Sequence, residues 1–194
     1  MSTLPADRFD DKALVKGTML RAHLSWAEKR FGPGYEPVRQ RLSGPVLALL
    51  SRMVLPTDWI PFSAIIELDR AIAAAAGGDP EETWLALGRH SAALNLTGVY
   101  RSFISGEPHR FFERMTVLHH QFQSFGRSVY EKVGESAGRI RIESPTAFSP
   151  VYCISGRGYY EEALRLLHAP GPVLVRESAC ATRGAPSCVF ELSW

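Results

Sequence analysis

The sequence has no long hydrophobic run, no marked excess of one charge and few cysteines. Its longest apolar stretch, PVLALLSRMVL, is interrupted by Arg52 and is far too short to cross a lipid bilayer. The 194 residues carry 22 Lys and Arg against 20 Asp and Glu, a net charge of +2, without a dense basic segment. We therefore expect neither a membrane span nor a nucleic-acid-binding surface.

The cysteine content and the N-terminus bear on the compartment. Three cysteines are an odd number, which argues against a disulfide framework. The first residues, MSTLPADRFDDK, lack the basic segment and apolar core of a secretory signal. We expect a cytoplasmic protein whose thiols are reduced.

Hydrophobic residues make up 45% of the chain and charged residues 22%, enough for an ordinary buried core. The length favours a single domain over 1–194. Its pattern is helical over about 10–126 and sheet-rich over about 127–194. This order predicts an α+β fold in which N-terminal helices pack on a C-terminal antiparallel sheet.

Apolar periodicity, broken by Gly and Pro, predicts the helices of the first half. Asp79, Pro80 and Glu82 suit the N-cap, first helical and capping-box positions of the fourth helix. Gly44-Pro45 is expected to split or kink the second. The predicted helices cover about 10–31, 36–54, 61–77, 80–94 and 108–125.

The fifth predicted helix has the most regular apolar stripe. Alternating steps of four and three residues place its members on one helix face, with His119 beside them. The stripe is either the face of a buried core helix or the wall of a ligand cavity. As a cavity wall it supplies the candidate ligand-binding residues Phe111, Met115, Leu118, His119 and Phe122, with Phe125 continuing the stripe.

Alternating apolar and polar residues and Gly-containing turns predict strands in the second half. They are expected over about 127–134, 139–143, 150–155, 172–179 and 187–193, with a short helix over about 159–168.

The last two strands flank Gly184 and each carries a cysteine nearby. A hairpin centred on Gly184 places Cys180 opposite Cys188, where two thiolates can share a tetrahedral zinc. The same register sets Glu177 against Glu191, which is unfavourable. A shift of one residue pairs Arg176 with Glu191, and a β-bulge reconciles the two registers.

Cys153 ends another predicted strand and is the third candidate metal ligand. Zinc requires a fourth ligand, for which Glu131, Glu135 and Glu143 are candidates, and His168 is the nearest histidine in sequence. Buried free cysteines are also common, so ordinary core packing is the alternative for all three.

The C-terminal third resembles the 4-vinyl-reductase-type ligand-binding domain, which shares its fold with Golgi transport-particle subunits and haem nitric-oxide sensors. The resemblance lies in Cys153, the segment APGPVLV at 169–175, and the pattern C-x3-G-x3-C-x-F at 180–190. The chain also resembles a myxobacterial family of similar length, through Lys16-Gly17, the segment DWIP at 58–61 and Leu87-Gly88-Arg89.

The resemblance implies helices packed on an antiparallel sheet, dimerisation through helices, and a ligand pocket in place of a catalytic centre. In phenol-sensing regulators with this domain, three cysteines and one carboxylate hold a zinc. Cys153, Cys180 and Cys188 match the cysteine positions, and no carboxylate is matched.

The first functional hypothesis is a non-enzymatic sensory or regulatory domain that binds a hydrophobic small molecule and contains a structural zinc. An apolar pocket with few polar groups is how proteins hold such ligands. His23, His119 or Arg89 are candidates to orient the polar end of the ligand. The alternative is an interaction or scaffold module that forms a homodimer through its helices.

Two further classes receive less support from the sequence. His119-His120 at the end of an apolar helix suggest a haem-based gas sensor, but the Tyr-x-Ser-x-Arg signature that holds the haem propionates in that family is absent. An enzyme is not expected, because the chain lacks G-x-S-x-G, a phosphate loop and H-E-x-x-H.

Overall fold

A computed structural model of the chain describes residues 6–104, 106–143 and 146–194. Helices dominate the first part and an antiparallel sheet the second, which confirms the predicted α+β class. Within these residues the α-helices are α1 (Gly17–Phe31), α2 (Glu36–Arg39), α3 (Gly44–Leu50), α4 (Phe62–Ala76), α5 (Pro80–Thr97), α6 (Pro108–Val117) and α7 (Pro150–Leu166).

The strands form two antiparallel sheets. A two-stranded sheet joins β1 (Leu14–Lys16) to β2 (Trp59–Pro61). The larger sheet has the order β3-β4-β6-β5, so β6, the last strand in sequence, lies between β4 and β5. Its members are β3 (Arg127–Gly134), β4 (Ala137–Glu143), β5 (Leu174–Ala179) and β6 (Ser187–Ser193).

The predicted helix over 10–31 begins later than expected, at Gly17, because residues 14–16 pair with β2. Gly17 packs directly on the backbone before β2: a Cβ there would lie 2.1 Å from the Leu55 carbonyl oxygen. The predicted helix over 36–54 is split into α2 and α3, with Gly44 and Pro45 opening the second piece. This confirms the expected break at Gly44-Pro45.

The predicted helix over 108–125 is too long. It ends at Val117, followed by a 3-10 turn over His119–Gln121. The backbone then turns to pair with β1: Lys16 N–H donates to the Phe122 carbonyl at 2.9 Å, and Ser124 N–H donates to the Leu14 carbonyl at 2.9 Å. Sheet-like pairing with β1 therefore replaces the last turns of the expected helix.

The predicted strand over 150–155 is wrong, because this segment is the first part of α7. Ser149 is the N-cap, and its hydroxyl accepts a hydrogen bond from Val151 N–H at 3.2 Å; Pro150 follows in the first turn. The β-branched and aromatic residues of VYCI indicated a strand. The cap and proline outweigh them, so Cys153 lies on a helix.

The backbones of helices α5 and α7 come into close contact where the two helices cross. A Cβ on Gly88 would lie 1.8 Å from the Ser155 carbonyl oxygen, and a Cβ on Gly158 would lie 2.2 Å from the Leu85 carbonyl oxygen. Glycine at both positions thus allows backbone-to-backbone contact. An ion pair of Arg89 and Glu161, at 2.6 Å, closes the same interface.

The buried core has two parts, one among the N-terminal helices and one where α6 and α7 cover the larger sheet. The first contains Phe62, Ile65 and Ile66, and the second contains Phe111, Ile140 and Phe190, among others. In the described residues, no helix has the length and apolar character needed to cross a membrane.

Candidate ligand cavity and metal cluster

The three cysteines come together from three elements. Cys153 lies in the second turn of α7, Cys180 directly after β5, and Cys188 in β6. All three are buried and free of disulfides. The Sγ atoms of Cys153 and Cys188 are 3.6 Å apart, and those of Cys153 and Cys180 are 3.8 Å apart. The three predicted metal-ligand cysteines therefore lie together, although Cys153 comes from a helix and not from the predicted strand.

These sulfur separations suit one tetrahedral ion. Zn–S bonds of about 2.3 Å place the corners of a tetrahedron about 3.8 Å apart. The Ala181 N–H donates to the Cys188 sulfur at 3.3 Å, and the Thr182 hydroxyl lies 2.9 Å from the Cys180 sulfur. Such contacts orient thiolates around a metal.

A fourth candidate ligand is present that the sequence did not reveal. Glu177, in β5, has a carboxylate oxygen within 4.8 Å of all three sulfurs. Its Oε1 atom is buried without a hydrogen-bond partner, while Oε2 accepts from Arg183 Nη2 at 2.8 Å. The unpartnered oxygen beside three thiols completes an S3O donor set.

A β-bulge explains both the register and the position of Glu177. Arg176 pairs with Glu191 and Ala179 with Val189, and the register shifts between Glu177 and Ala179. Residues three apart on a regular strand face opposite sides of a sheet. The extra residue brings Glu177 and Cys180 to the same side.

The three glutamates proposed from the sequence as the fourth zinc ligand make contacts outside the cysteine cluster. Glu131 pairs with Arg139 at 3.2 Å, and Glu143 pairs with Arg127 and Arg141. The carbonyl of Glu135 interacts with a ring nitrogen of His109 at 2.8 Å. Neither these three residues nor His168 belongs to the cluster formed by the described residues.

The three thiols and the Glu177 carboxyl group lie so close together that their pKa values are shifted. Burial, and then the Cys180 sulfur, raise the pKa of Glu177 to about 7. Hydrogen bonds with Cys153 and Cys188 lower the pKa of Cys180, while the hydrogen bond with Cys180 raises that of Cys153. Without a cation, the cluster therefore favours one thiolate stabilised by its neighbours, since several negative charges this close repel.

A cavity of about 170 Å³ separates the helices from the sheet. Four of the five predicted ligand-binding residues line it, namely Phe111, Met115, His119 and Phe122, whereas Leu118 does not. Leu118 is the C-cap residue after α6, and it leaves the stripe because the helix stops at Val117. The cavity also reaches Cys153 and Cys188, so it adjoins the metal cluster.

Three polar residues were candidates to orient a ligand. His23 and His119 line the cavity, but Arg89 does not, because it pairs with Glu161. The His119 Nε2–H donates to the Phe125 carbonyl at 3.0 Å, and burial lowers the pKa of His119, which favours the neutral ring. The Tyr152 hydroxyl donates to Gln123 Oε1 at 2.6 Å on the same wall.

Comparison with solved structures reveals the fold family. A structure from a study of heme distortion in the H-NOX family covers 92% of this chain and 94% of its own, with a TM-score of 0.70 and 16% identity. The fold is that of H-NOX domains. An oxygen-binding H-NOX domain related to soluble guanylate cyclases gives a TM-score of 0.64 at 15% identity over 91% of this chain and 92% of its own.

An Fe(II) unliganded A71G mutant of the H-NOX protein of K. algicida also matches, with a TM-score of 0.66 and 12% identity over 92% of this chain and 95% of its own. No family model matches the sequence, and no curated protein matches it. The resemblance to haem nitric-oxide sensors is thus confirmed for the fold. The likeness to 4-vinyl-reductase domains and Golgi transport-particle subunits stays a prediction.

Proposed function

We propose that this protein is a non-catalytic sensory domain that binds a small, mainly apolar molecule and contains a structural zinc. The observation that carries the proposal is the cavity between helices and sheet, walled by the stripe of α6 and bordered by the cysteine cluster. The H-NOX fold supports a ligand-binding role by analogy.

The cavity fits a compact ligand. A cavity of about 150 Å³ with an apolar lining holds one benzene ring, which is close to the volume found here. Phe111, Phe122 and Phe125 supply aromatic surface, and a few polar groups interrupt it. This composition is typical of small-molecule sites.

The donor set favours zinc, and a structural role for it. Three thiolates and one carboxylate complete a tetrahedron with protein ligands alone, which leaves no open position for a substrate. The ion would tie α7 to β5 and β6 through Cys153, Cys180 and Cys188. The resemblance to phenol-sensing regulators implies three cysteines and one carboxylate, and Glu177 is our candidate for the carboxylate that the resemblance left unmatched.

The homodimer and the scaffold alternative stay predictions. A scaffold requires no internal space, whereas the cavity lined by α6 gives ligand binding specific support. Light scattering on the purified protein would show whether a dimer exists. A cytoplasmic location is likewise a proposal, based on the expected reduced state of the thiols.

Haem-based gas sensing is the second candidate, because the structural neighbours include haem proteins. Haem held by a histidine needs an open ring nitrogen on that residue, and its two propionates need donors. His119 offers its Nε2–H to Phe125, and Lys16 is the single Lys or Arg among the described lining residues. Its ammonium donates to the Thr57 carbonyl and lies over the Trp59 ring. The residues present therefore do not fit haem held by His119.

Metal analysis together with native mass spectrometry tests the proposal. Protein purified without a metal-affinity step should contain one zinc per chain and lose it in a Cys180→Ser variant. After incubation with hemin and removal of the unbound hemin by gel filtration, the protein should show no Soret band. Absence of zinc from the wild type would refute the metal site, and a stoichiometric Soret band would establish the haem alternative.

A further inference from the structure

A buried His–Asp hydrogen bond lies beside the cavity. His23 in α1 meets Asp69 in α4, with 2.6 Å between Nδ1 and Oδ1 and side-chain exposures of 2% and 0%. The second carboxylate oxygen, Oδ2, is buried and has no hydrogen-bond partner. Among the ion pairs of the described residues, Asp69 has no cationic partner except His23.

Burial decides how many protons this pair holds. An isolated carboxylate is costly in an apolar interior, and Asp69 has one hydrogen-bonded oxygen to offset that cost. The adjacent cation Arg70 is turned away, because it binds Asp7 at 3.0 Å. The burial of Asp69 is the ground on which we assign the pair zero net charge.

Two arrangements of protons give zero net charge. In one, an imidazolium faces a carboxylate; in the other, a neutral imidazole accepts at Nδ1 from a protonated carboxyl group. Both arrangements place a hydrogen on Nε2. The ring of His23 thus has a donor at the atom that Asp69 does not use.

The position of His23 indicates which ring edge faces the cavity. His23 lines the cavity and Asp69 does not, which points to the ring edge opposite the carboxylate. The hydrogen bond that the structure describes for the His23 ring is the one between Nδ1 and Asp69 Oδ1. A donor on an otherwise apolar wall selects a ligand that presents an acceptor.

We propose that the ligand is a compact, uncharged, mainly apolar carbonyl compound whose oxygen accepts a hydrogen bond from His23 Nε2–H. Asp69 is a positioning residue that fixes the ring and keeps the donor protonated. This inference rests on the proposed small-molecule site and names its ligand class. A neutral carbonyl suits the pair better than a carboxylate, because it adds no buried charge.

Acetophenone and α-methylstyrene form a matched pair of probes. They have the same shape, and a carbonyl oxygen in the first replaces a methylene group in the second. Isothermal titration of each into the zinc-loaded protein should show acetophenone binding about ten-fold or more tightly, since a buried donor left without a partner is penalised. Equal affinities would overturn the carbonyl assignment and leave the apolar site standing. If neither probe binds, the inference and the proposed small-molecule site both fail.

Substitution of His23 locates the effect. His23→Phe keeps an aromatic ring and removes the donor, so the preference for acetophenone should fall to near one, while His23→Gln should retain part of it. Retention of the full preference in folded His23→Phe would refute the role of His23.

A measurement on the wild-type protein does not depend on variants that fold. Nitrogen-15 NMR of selectively labelled histidine should show a hydrogen on His23 Nε2 and a change in its resonance with acetophenone but not with α-methylstyrene. An unprotonated Nε2 in the ligand-free protein would contradict the proton assignment.

Discussion

The Glu177 carboxylate reaches the three thiols because β5 contains one extra residue. Its Oε1 atom is buried and unpartnered, and Arg183 holds the other oxygen. A buried oxygen without a partner is unfavourable unless an ion or water completes it. These surroundings support the proposed role of Glu177 as a metal ligand.

Glu177→Gln should weaken zinc binding by about ten-fold or more, because the amide removes a negative charge from the donor set. Competition with a chromophoric chelator would measure the change. Glu131→Gln is the matched control, since Glu131 also lies in a strand and pairs with an arginine, Arg139, outside the cluster. Equal zinc affinity in both variants would exclude Glu177 as a ligand.

The sequence identified the three cysteines but not this carboxylate. Spacing around Gly184 placed Cys180 and Cys188 on neighbouring strands, whereas a bulge at one residue decides the side on which Glu177 lies. In the simple register Glu177 would face Glu191, and this conflict was the sequence signal for a bulge. The signal predicted the pairing of Arg176 with Glu191, but not the side of the sheet on which Glu177 lies.

Among the helices, the crossing of α5 and α7 places Cys153 and much of the cavity wall. Gly88 and Gly158 allow this crossing, since any side chain there would overlap the facing backbone. The interface therefore has little tolerance for added volume.

Gly88→Ala should lower the free energy of unfolding by about 1–3 kcal/mol, as expected for overpacking. Gly156→Ala in α7 is the control: a Cβ there has no atom within 4 Å. Because alanine has a higher helix propensity than glycine, this control substitution should raise the free energy of unfolding by about 0.5–1 kcal/mol. Urea denaturation would measure both. Similar free energies of unfolding for the two variants would show that α5 and α7 can move apart without a loss of stability.

Long periodic helices were predictable at this scale, and their ends were not. Helix α4 runs over Phe62–Ala76, close to the expected range, because its apolar period is unbroken. Helix α6 ends early because residues 122–124 pair with β1, which is distant in sequence. Helix α7 begins where it does because Ser149 caps it.

In the whole molecule, the cavity and the cysteine cluster share a wall. Cys153 and Cys188 contribute to both, so a metal that fixes these residues also fixes part of the ligand site. If the ion alters the positions of these residues, the two sites are coupled in free energy, and the coupling is reciprocal.

Removal of zinc with a chelator should therefore weaken acetophenone binding by about five-fold or more, in the range usual for coupled sites. Reciprocally, saturating acetophenone should raise the affinity for zinc by the same factor. Titrations of the metal-free and zinc-loaded protein, each checked for retained helix content by circular dichroism, would measure both sides of the cycle. Identical affinities in the two states would mean that Cys153 and Cys188 hold their cavity positions without the ion, and that metal and ligand act independently.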